Sequence, residues 1–487
     1  MIKKSILLSL AIIISINANE LIIPKKYNIK PNIKLNKVQS EGEIISNDIY
    51  EVYYLNNQLW ILTGEGAAFS EDWGNSWTYQ LKYNDINQYI FSLGYNNNYY
   101  YATAGYMRDY ASMSQPVPVG TGIYYRHKDS SEWQFEQIKF ADEFPQKVGF
   151  EIAFKDSSIF IAYLRGNLIR KNIKDSIWTI IIPDEDSTND TLETTLYPPS
   201  FTYVNNFNNI ALSLKIDKEG IIWLGTAAGI KKSEDNGKTF TQYGAGYTPN
   251  FLGNQIWELY IHYFNDKKYI VASCTSSGNP GESNGAIYSD NNGETWHSID
   301  GLQDIAPLAI TGKDSLLWFG TDGALYSFNL NNKNLEKFTT QNGLPDDYIA
   351  SLCAIDFYLW IGTYNGLTYT VNNGKSFDYF KKSYPVTYSD LVKTYSFPNP
   401  ISTRDNQQAQ IVFALKNSNY VTLKIYDMSM NLIRTLFENK FFDSSDKIIV
   451  KWDGRDDNGD YVPNGTYLYI IDVKNKEKIS NKITILN

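Results

Sequence analysis

Carboxylates, arginines and tyrosines are the side chains of this sequence with most chemistry to offer. Two carboxyl groups about 5–10 Å apart suffice for glycoside hydrolysis, one as acid and the other as base or nucleophile. Asp109, Glu151, Glu258, Asp322 and Asp346 could each take such a part, and nothing in their spacing pairs any two. Asp346 and Asp347 also read as caps of a turn before a strand. Nucleophilic chemistry has no signal: there is no Gly-x-Ser-x-Gly elbow, and neither Cys274 nor Cys353 has a histidine near it in sequence. With 3 His and 2 Cys, no metal-ligand spacing occurs. No catalytic residue, metal site or cofactor is therefore assigned. The two cysteines lie in apolar, strand-like surroundings and read as buried free thiols.

The elements that must position these groups are repeats. An "aromatic-apolar-Gly-Thr" phrase recurs at Trp60–Gly64 (as Trp-Ile-Leu-Thr-Gly), Trp223–Thr226, Trp318–Thr321 and Trp360–Thr363. A second phrase follows: Ser70, Asp72, Gly74 and Trp77; Ser233, Asp235, Gly237 and Phe240; Ser289, Asn291, Gly293 and Trp296; and, more faintly, Thr370, Asn372, Gly374 and Phe377. A hydroxyl, an Asx and a glycine within five positions build a tight turn, and the terminal aromatic packs between sheets. The phrase resembles the Asp-box, or bacterial neuraminidase repeat, which is a structural turn. The resemblance implies a β-propeller.

Units anchored on these phrases lie near 45–80, 89–138, 148–183, 208–243, 254–299, 304–339 and 346–380. Each reads as four short strands, with residues 27–44 expected to supply a strand that closes the ring. Asn342-Gly-Leu-Pro-Asp-Asp347 also resembles the propeller repeats of two-component sensor proteins. A sialidase activity, which the Asp-box resemblance could imply, needs three converging arginines. The propeller has only Arg108, Arg126, Arg165 and Arg170, all in the second and third units, so that activity is excluded.

In a propeller, ligands meet the face made by the loops between a blade's second and third strands and between blades. Four stretches are expected there: 102–122, 183–208 (with Asp184, Glu185, Asp186 and Asp190), 244–255 (with Phe251) and the Ser/Gly-rich 274–285. Loops of this length are often functional. The expected rim comprises Tyr106, Arg108, Asp109, Tyr110, Arg165 and Tyr247, whose rings would stack on a glycan or protein while the charges fix hydroxyls or carboxylates. The alternative is a set of solvated loops.

The repeat stops after Phe380, and 383–400 reads as a linker with Pro385, Pro398 and Pro400. Alternating runs at 409–415, 420–426, 432–437, 447–452, 467–473 and 482–486 then read as a β-sandwich. Phe397-Pro-Asn-Pro400, Val421–Asp427, Trp452–Gly459 and Pro463–Tyr467 resemble the Ig-like domain of flagellar hook-capping proteins and the C-terminal sorting domains of type IX secretion cargo. That resemblance implies export or surface attachment through residues 401–487. The acidic stretch Asp453–Asp460 departs from the EF-hand order and reads as a turn without metal.

Residues 1–18 read as a signal peptide: Lys3 and Lys4, an apolar run from Ser5 to Ile16, and Ala18 at the cleavage position. The net charge of −9, without a basic cluster, argues against nucleic acid and anionic membrane. The expectation is an all-β protein with a seven-bladed β-propeller over 19–382 and an Ig-like β-sandwich. It would be a monomeric secreted or cell-surface binding protein without a membrane span once the leader is removed. A glycan or surface protein is its expected ligand, with the secretion machinery a partner of the C-terminal domain. A propeller glycoside hydrolase and a structural surface component are the alternatives.

Overall fold

The computed structural model describes residues 44–108, 117–138, 148–164, 167–175, 178–181, 189–192, 210–380, 394–404, 407–415, 418–443, 445–474 and 478–486. The chain divides into two compact units, 1–382 and 383–487.

In the first unit, apolar strands double back through Asn or Asp residues at positive φ, such as Asn57, Asn97, Asp156, Asp266, Asp314 and Asp356. Asx side chains tolerate this left-handed backbone better than other non-glycine residues. Seven antiparallel sheets result among the described residues, each with its strands in chain order. We call them blades 1 to 7: residues 49–80, 89–137, 149–192, 211–243, 255–298, 309–338 and 349–380. Their first strands pack against one another in cyclic order, the last against the first, so the unit is a β-propeller. The repeated tryptophans Trp60, Trp223, Trp318 and Trp360 sit on second strands and are at most 1% exposed.

Hydrogen bonds stitch each blade to the next. Tyr50 Oη donates to the Ile90 carbonyl, Thr103 Oγ1 to Gly149, Ser213 Oγ to Ile256 and Ser273 Oγ to Pro307. The Leu214 amide donates to Glu151, and the Ile349 amide to the Thr321 carbonyl. Ring closure uses the same devices: the Val52 amide donates to Ser351 Oγ at 2.9 Å, and the Gly366 amide to the Asn47 carbonyl at 2.8 Å.

The hydroxyl-Asx-Gly phrase forms one turn four times. Ser70, Ser233, Ser289 and Thr370 accept from the amides of Gly74, Gly237, Gly293 and Gly374 at 2.7–3.0 Å. The Asx oxygen then accepts from the amide four residues on. Each glycine has φ between 84° and 91°. A Cβ there would lie 2.9 Å or less from a side chain of the preceding blade: Phe380, Ile181, Tyr243 and Phe338 respectively. Glycine is thus required twice over, for the backbone and for the docking.

Burial raises the Asp235 pKa, but hydrogen bonds from Thr239, Ser233 and the Lys238 amide outweigh it and hold the carboxyl at about 2. A carboxylate with a depressed folded-state pKa stabilises above its unfolded value of about 3.9 and loses that contribution as pH falls toward about 2. Asp235→Asn is expected to flatten the fall in thermal midpoint between about pH 4 and pH 2. An unchanged slope would refute the assignment.

Two expectations change in this unit, and a third lies almost wholly outside the described residues. Residues 102–108 and 117–122 belong to the strands Tyr99–Arg108 and Val117–His127, so most of the expected loop is a long hairpin. Within 183–208, Asn189–Leu192 pairs with Trp178–Ile181 as a fifth strand of blade 3. Blades 1 and 7 each hold four strands of their own, and the expected closing strand falls outside the described residues except for Ile44. Ile44 and Ile45 are buried in the apolar cluster that joins Trp360 and Leu367 of blade 7 to Ile49 and Ile61 of blade 1.

In the second unit, Thr394–Phe397, Ala409–Leu415 and Ser445–Trp452 form one sheet, and Asn419–Tyr426, Leu432–Phe442, Gly465–Val473 and Lys478–Ile485 the other. Ile411, Phe413, Val421, Leu423, Trp452, Tyr469, Ile471 and Ile483 share one core, so the unit is a sandwich. Its first described strand, Thr394–Phe397, lies within the stretch read as linker and is tied to the core: Thr394 Oγ1 donates to the Val412 carbonyl and lies 3.0 Å from Tyr469 Oη. Asp456 Oδ1 accepts from the amides of Asn458 and Asp460 at 2.9 Å, which makes the acidic stretch a self-satisfied turn.

Candidate functional site

The first strands of the blades line a central channel, and a repeated irregularity shapes it. Six of them among the described residues carry a β-bulge, placing Tyr50, Phe91, Phe150, Leu212, Trp257 and Ala350 at the extra position. Five of these, Tyr50 to Trp257, join one buried cluster with Tyr89, Val148 and Ile210. Apolar side chains therefore fill the channel where the first strands begin, beside the loops between blades.

Beyond the bulge the strands change character. Burial gives way to partial exposure along Ile49–Leu55, Gly149–Lys155, Ala211–Ile216 and Ile349–Ile355. A cavity of about 240 Å³ opens there, its lining including Phe150, Leu212, Trp257, Tyr53, Tyr54, Tyr260 and Cys353. The residues after the bulges supply its polar groups: Glu51, Glu151, Glu258 and Ser351, joined by Lys215 and Thr311. Lys215 pairs with Glu151 and lies 3.8 Å from Glu258 Oε1, the three side chains being 17–26% exposed. Ser351 Oγ donates to Glu51 Oε2 at 3.1 Å while accepting from Val52.

Around this mouth, Tyr54 stacks on Trp73 with centroids 5.4 Å apart, and Trp73 stacks on Tyr358 at 4.8 Å. Phe357, in the turn leaving the first strand of blade 7, is 75% exposed. Loss of hydration pushes the Cys353 thiol up to about 12 and raises Tyr260, so neither is a nucleophile near neutrality. Both cysteines are free, Cys274 buried and Cys353 part-exposed in the wall, where full burial was expected.

The expected rim residues lie toward the other face. Tyr106 and Arg108 share one side of the blade 2 hairpin, opposite Val119 and Val117. Met107, between them, packs on the apolar cluster. Tyr247 is 57% exposed in the loop after blade 4. Asn254 of that loop ties it to the 276–284 loop through Glu282 at 2.5 Å. Phe251 is buried against Trp296. Asp109, Tyr110 and Arg165 lie outside the described residues. Of the five single carboxylates, Glu151 and Glu258 are brought together on Lys215. Asp346 caps the Tyr348 amide at 3.0 Å, and Asp322 is exposed on a turn between the second and third strands of blade 6. Glu51, Lys215 and the tyrosines of the mouth escaped the sequence reading. The signal available was the apolar-aromatic-Glu sequence at Ile49–Glu51 and Ile256–Glu258, echoed at Gly149–Glu151.

No family model and no curated protein matches the chain. Among solved structures it is similar to the extracellular domain of a hybrid two-component system from B. thetaiotaomicron. The identity is 14% and the TM-score 0.48, over 92% of this chain and 56% of that one. This chain thus spans about half the length of that structure. PorZ, a surface component of the type-IX secretion system of Porphyromonas gingivalis, is 14% identical over 90% of this chain and 66% of its own, with a TM-score of 0.32. An ancestral GH74 enzyme is 11% identical over 92% and 64%, at 0.47. These likenesses concern the fold alone.

Proposed function

We propose that this chain is a secreted or surface-displayed binding protein for a glycan or protein ligand. Its propeller would take the ligand at the channel mouth, and its sandwich, an Ig-like domain in this reading, would serve export or attachment. The observation that carries the reading is the cavity itself, where carboxylates and tyrosines from blades 1, 3 and 5 meet in one depression. Such convergence of polar groups among apolar side chains is the usual form of a ligand site. The leader-like N-terminus and the Asp-box character of the turns support an exported propeller. Among the described residues no helix is long and apolar enough to cross a membrane.

Hydrolysis is the second reading, favoured by the meeting of Glu151 and Glu258. A glycosidase uses one carboxyl as acid and the other as base or nucleophile, whereas here Lys215 pairs with Glu151 and lies 3.8 Å from Glu258 Oε1. Incubation with immobilised polysaccharides and peptides is expected to give retention without release of reducing ends, and Tyr54→Ala is expected to weaken retention about tenfold. Release that vanishes in Glu151→Gln or Glu258→Gln would replace binding with catalysis. Retention lost on Tyr106→Ala and Arg108→Ala, and untouched by Tyr54→Ala, would move the site to the opposite rim.

A further inference from the structure

We infer that Trp73 is the latch that closes the ring: an indole held on a strained turn of blade 1 so that it stacks on blade 7. Its place in the repeat is the first argument. The hydroxyl-Asx-Gly turn has one residue between the Asx and the glycine, and in three copies it is asparagine: Asn236, Asn292 and Asn373. All three adopt left-handed backbone, with φ of 65°, 59° and 58°. Asparagine tolerates this conformation well, and a bulky side chain tolerates it poorly. Blade 1 alone breaks the pattern among the four turns, with Trp73 at φ 56°. The turn itself would be better served by asparagine, so the strain points to a task outside it.

The neighbours of the indole supply that task. Trp73 stacks on Tyr358 of blade 7 with centroids 4.8 Å apart and planes 16° from parallel. It also stacks on Tyr54 of its own blade, at 5.4 Å and 9°. Tyr358 stacks in turn on Trp360 at 5.4 Å, and Trp360 on Phe380 at 5.9 Å, both within 23° of parallel. Five rings thus follow one another, and Trp73 to Tyr358 is the step that crosses from blade 1 to blade 7. The indole packs as well on the buried cluster that joins these two blades. With Gly74 docked on Phe380, the dipeptide grips blade 7 at two points. Ring–ring contact of this kind offsets the backbone strain.

Position gives the latch its consequence. Blades 1 and 7 are the neighbours that the chain does not join in sequence, so closure there rests on non-covalent contacts alone. The cavity at the channel mouth is lined from both sides of this junction, by residues 51–55 of blade 1 and 351–354 of blade 7. Opening the junction would part that lining. Trp73 therefore holds the cavity together as well as the ring.

The test is hydrogen exchange of the full-length protein, read by mass spectrometry, in Trp73→Asn, Tyr358→Ala and the double variant. Turn preference alone would make Trp73→Asn neutral or protective, because asparagine suits the left-handed position. A latch predicts the opposite: exchange about tenfold faster in residues 49–80 and 349–380, with residues 149–298 unchanged. In the Tyr358→Ala background, Trp73→Asn should quicken exchange by about twofold or less, because the stack it breaks is already gone. If Trp73→Asn loses its unfolding transition, Trp73→Phe takes its place, with exchange at the same two blades expected about threefold faster. Exchange unchanged or slowed in residues 49–80 would overturn the inference. An increase spread evenly over all seven blades would overturn it too, by making Trp73 a contributor to global stability only. So would an effect of Trp73→Asn that persists in full without the Tyr358 ring.

Discussion

Asp217→Ala is expected to destabilise the propeller by about 3–5 kcal/mol, the usual cost of stripping one partner from a buried ion pair. The Asp217 side chain is fully buried and accepts from Lys268 Nζ at 2.6 Å, Trp223 Nε1 at 3.1 Å and the Ile221 amide at 2.8 Å. Lys268 belongs to the next blade, so the pair locks blade 4 to blade 5. Burial lowers the Lys268 pKa, but hydrogen bonds to Asp217 and Glu219 outweigh it and hold the ammonium above its ordinary value. Lys268→Met in the Asp217→Ala background is expected to recover part of the loss, because the shielded ammonium, left with only the exposed Glu219 as partner, is removed. Guanidinium unfolding of the two single variants and the double variant measures this. A single-variant loss below about 1 kcal/mol would show that the pair behaves like an exposed one.

Trp360→Ala should cost a similar amount, about 3–5 kcal/mol, through the cavity it leaves. Its indole is fully buried, 4.8 Å from the Tyr369 ring centroid, 5.4 Å from Tyr358 and 5.9 Å from Phe380. The same cluster includes Ile49, Val52, Ile61 and Trp77 of blade 1. The cavity would therefore open at the junction of the first and last blades, where no peptide bond holds the ring. Trp318→Ala, in blade 6, removes an equally buried indole away from that junction. Limited proteolysis is expected to cut within residues 44–80 faster in Trp360→Ala than in Trp318→Ala. Equal rates at matched stability would show that the junction is no weaker than the other blade contacts.

The propeller was legible in the sequence through its turns, and the reason is local. Ser289, Asn291 and Gly293 encode a turn through bonds spanning four residues, so their spacing carries the geometry with it. The channel mouth was not legible in this way. Glu51, Glu151 and Glu258 stand about a hundred residues apart, and each looks like an ordinary polar position of an alternating strand. A bulge just before each of them alters that alternation, and bulges leave little mark on composition. Tyr106 and Tyr247, expected on the rim, are exposed. Most of the stretch expected as a loop around Tyr106 is a hairpin, and Gly105, Gly120 and Gly122 lie within its strands. Gly105 and Gly122 are close-packing positions, where a Cβ would meet the backbone of the neighbouring strand.

The turn glycines also give the molecule a direction in time. Gly237, Gly293 and Gly374 each dock on a side chain that precedes them in the chain, so a polypeptide emerging from its N-terminus finds every such partner already made. Gly74 alone looks forward, to Phe380, more than three hundred residues later. Blade 1 must therefore wait, with Trp77 and Ile49 lacking their last neighbours, until the final blade has emerged. If the chain is exported as proposed, this delay would keep the ring open during passage and reserve its closure for the far side.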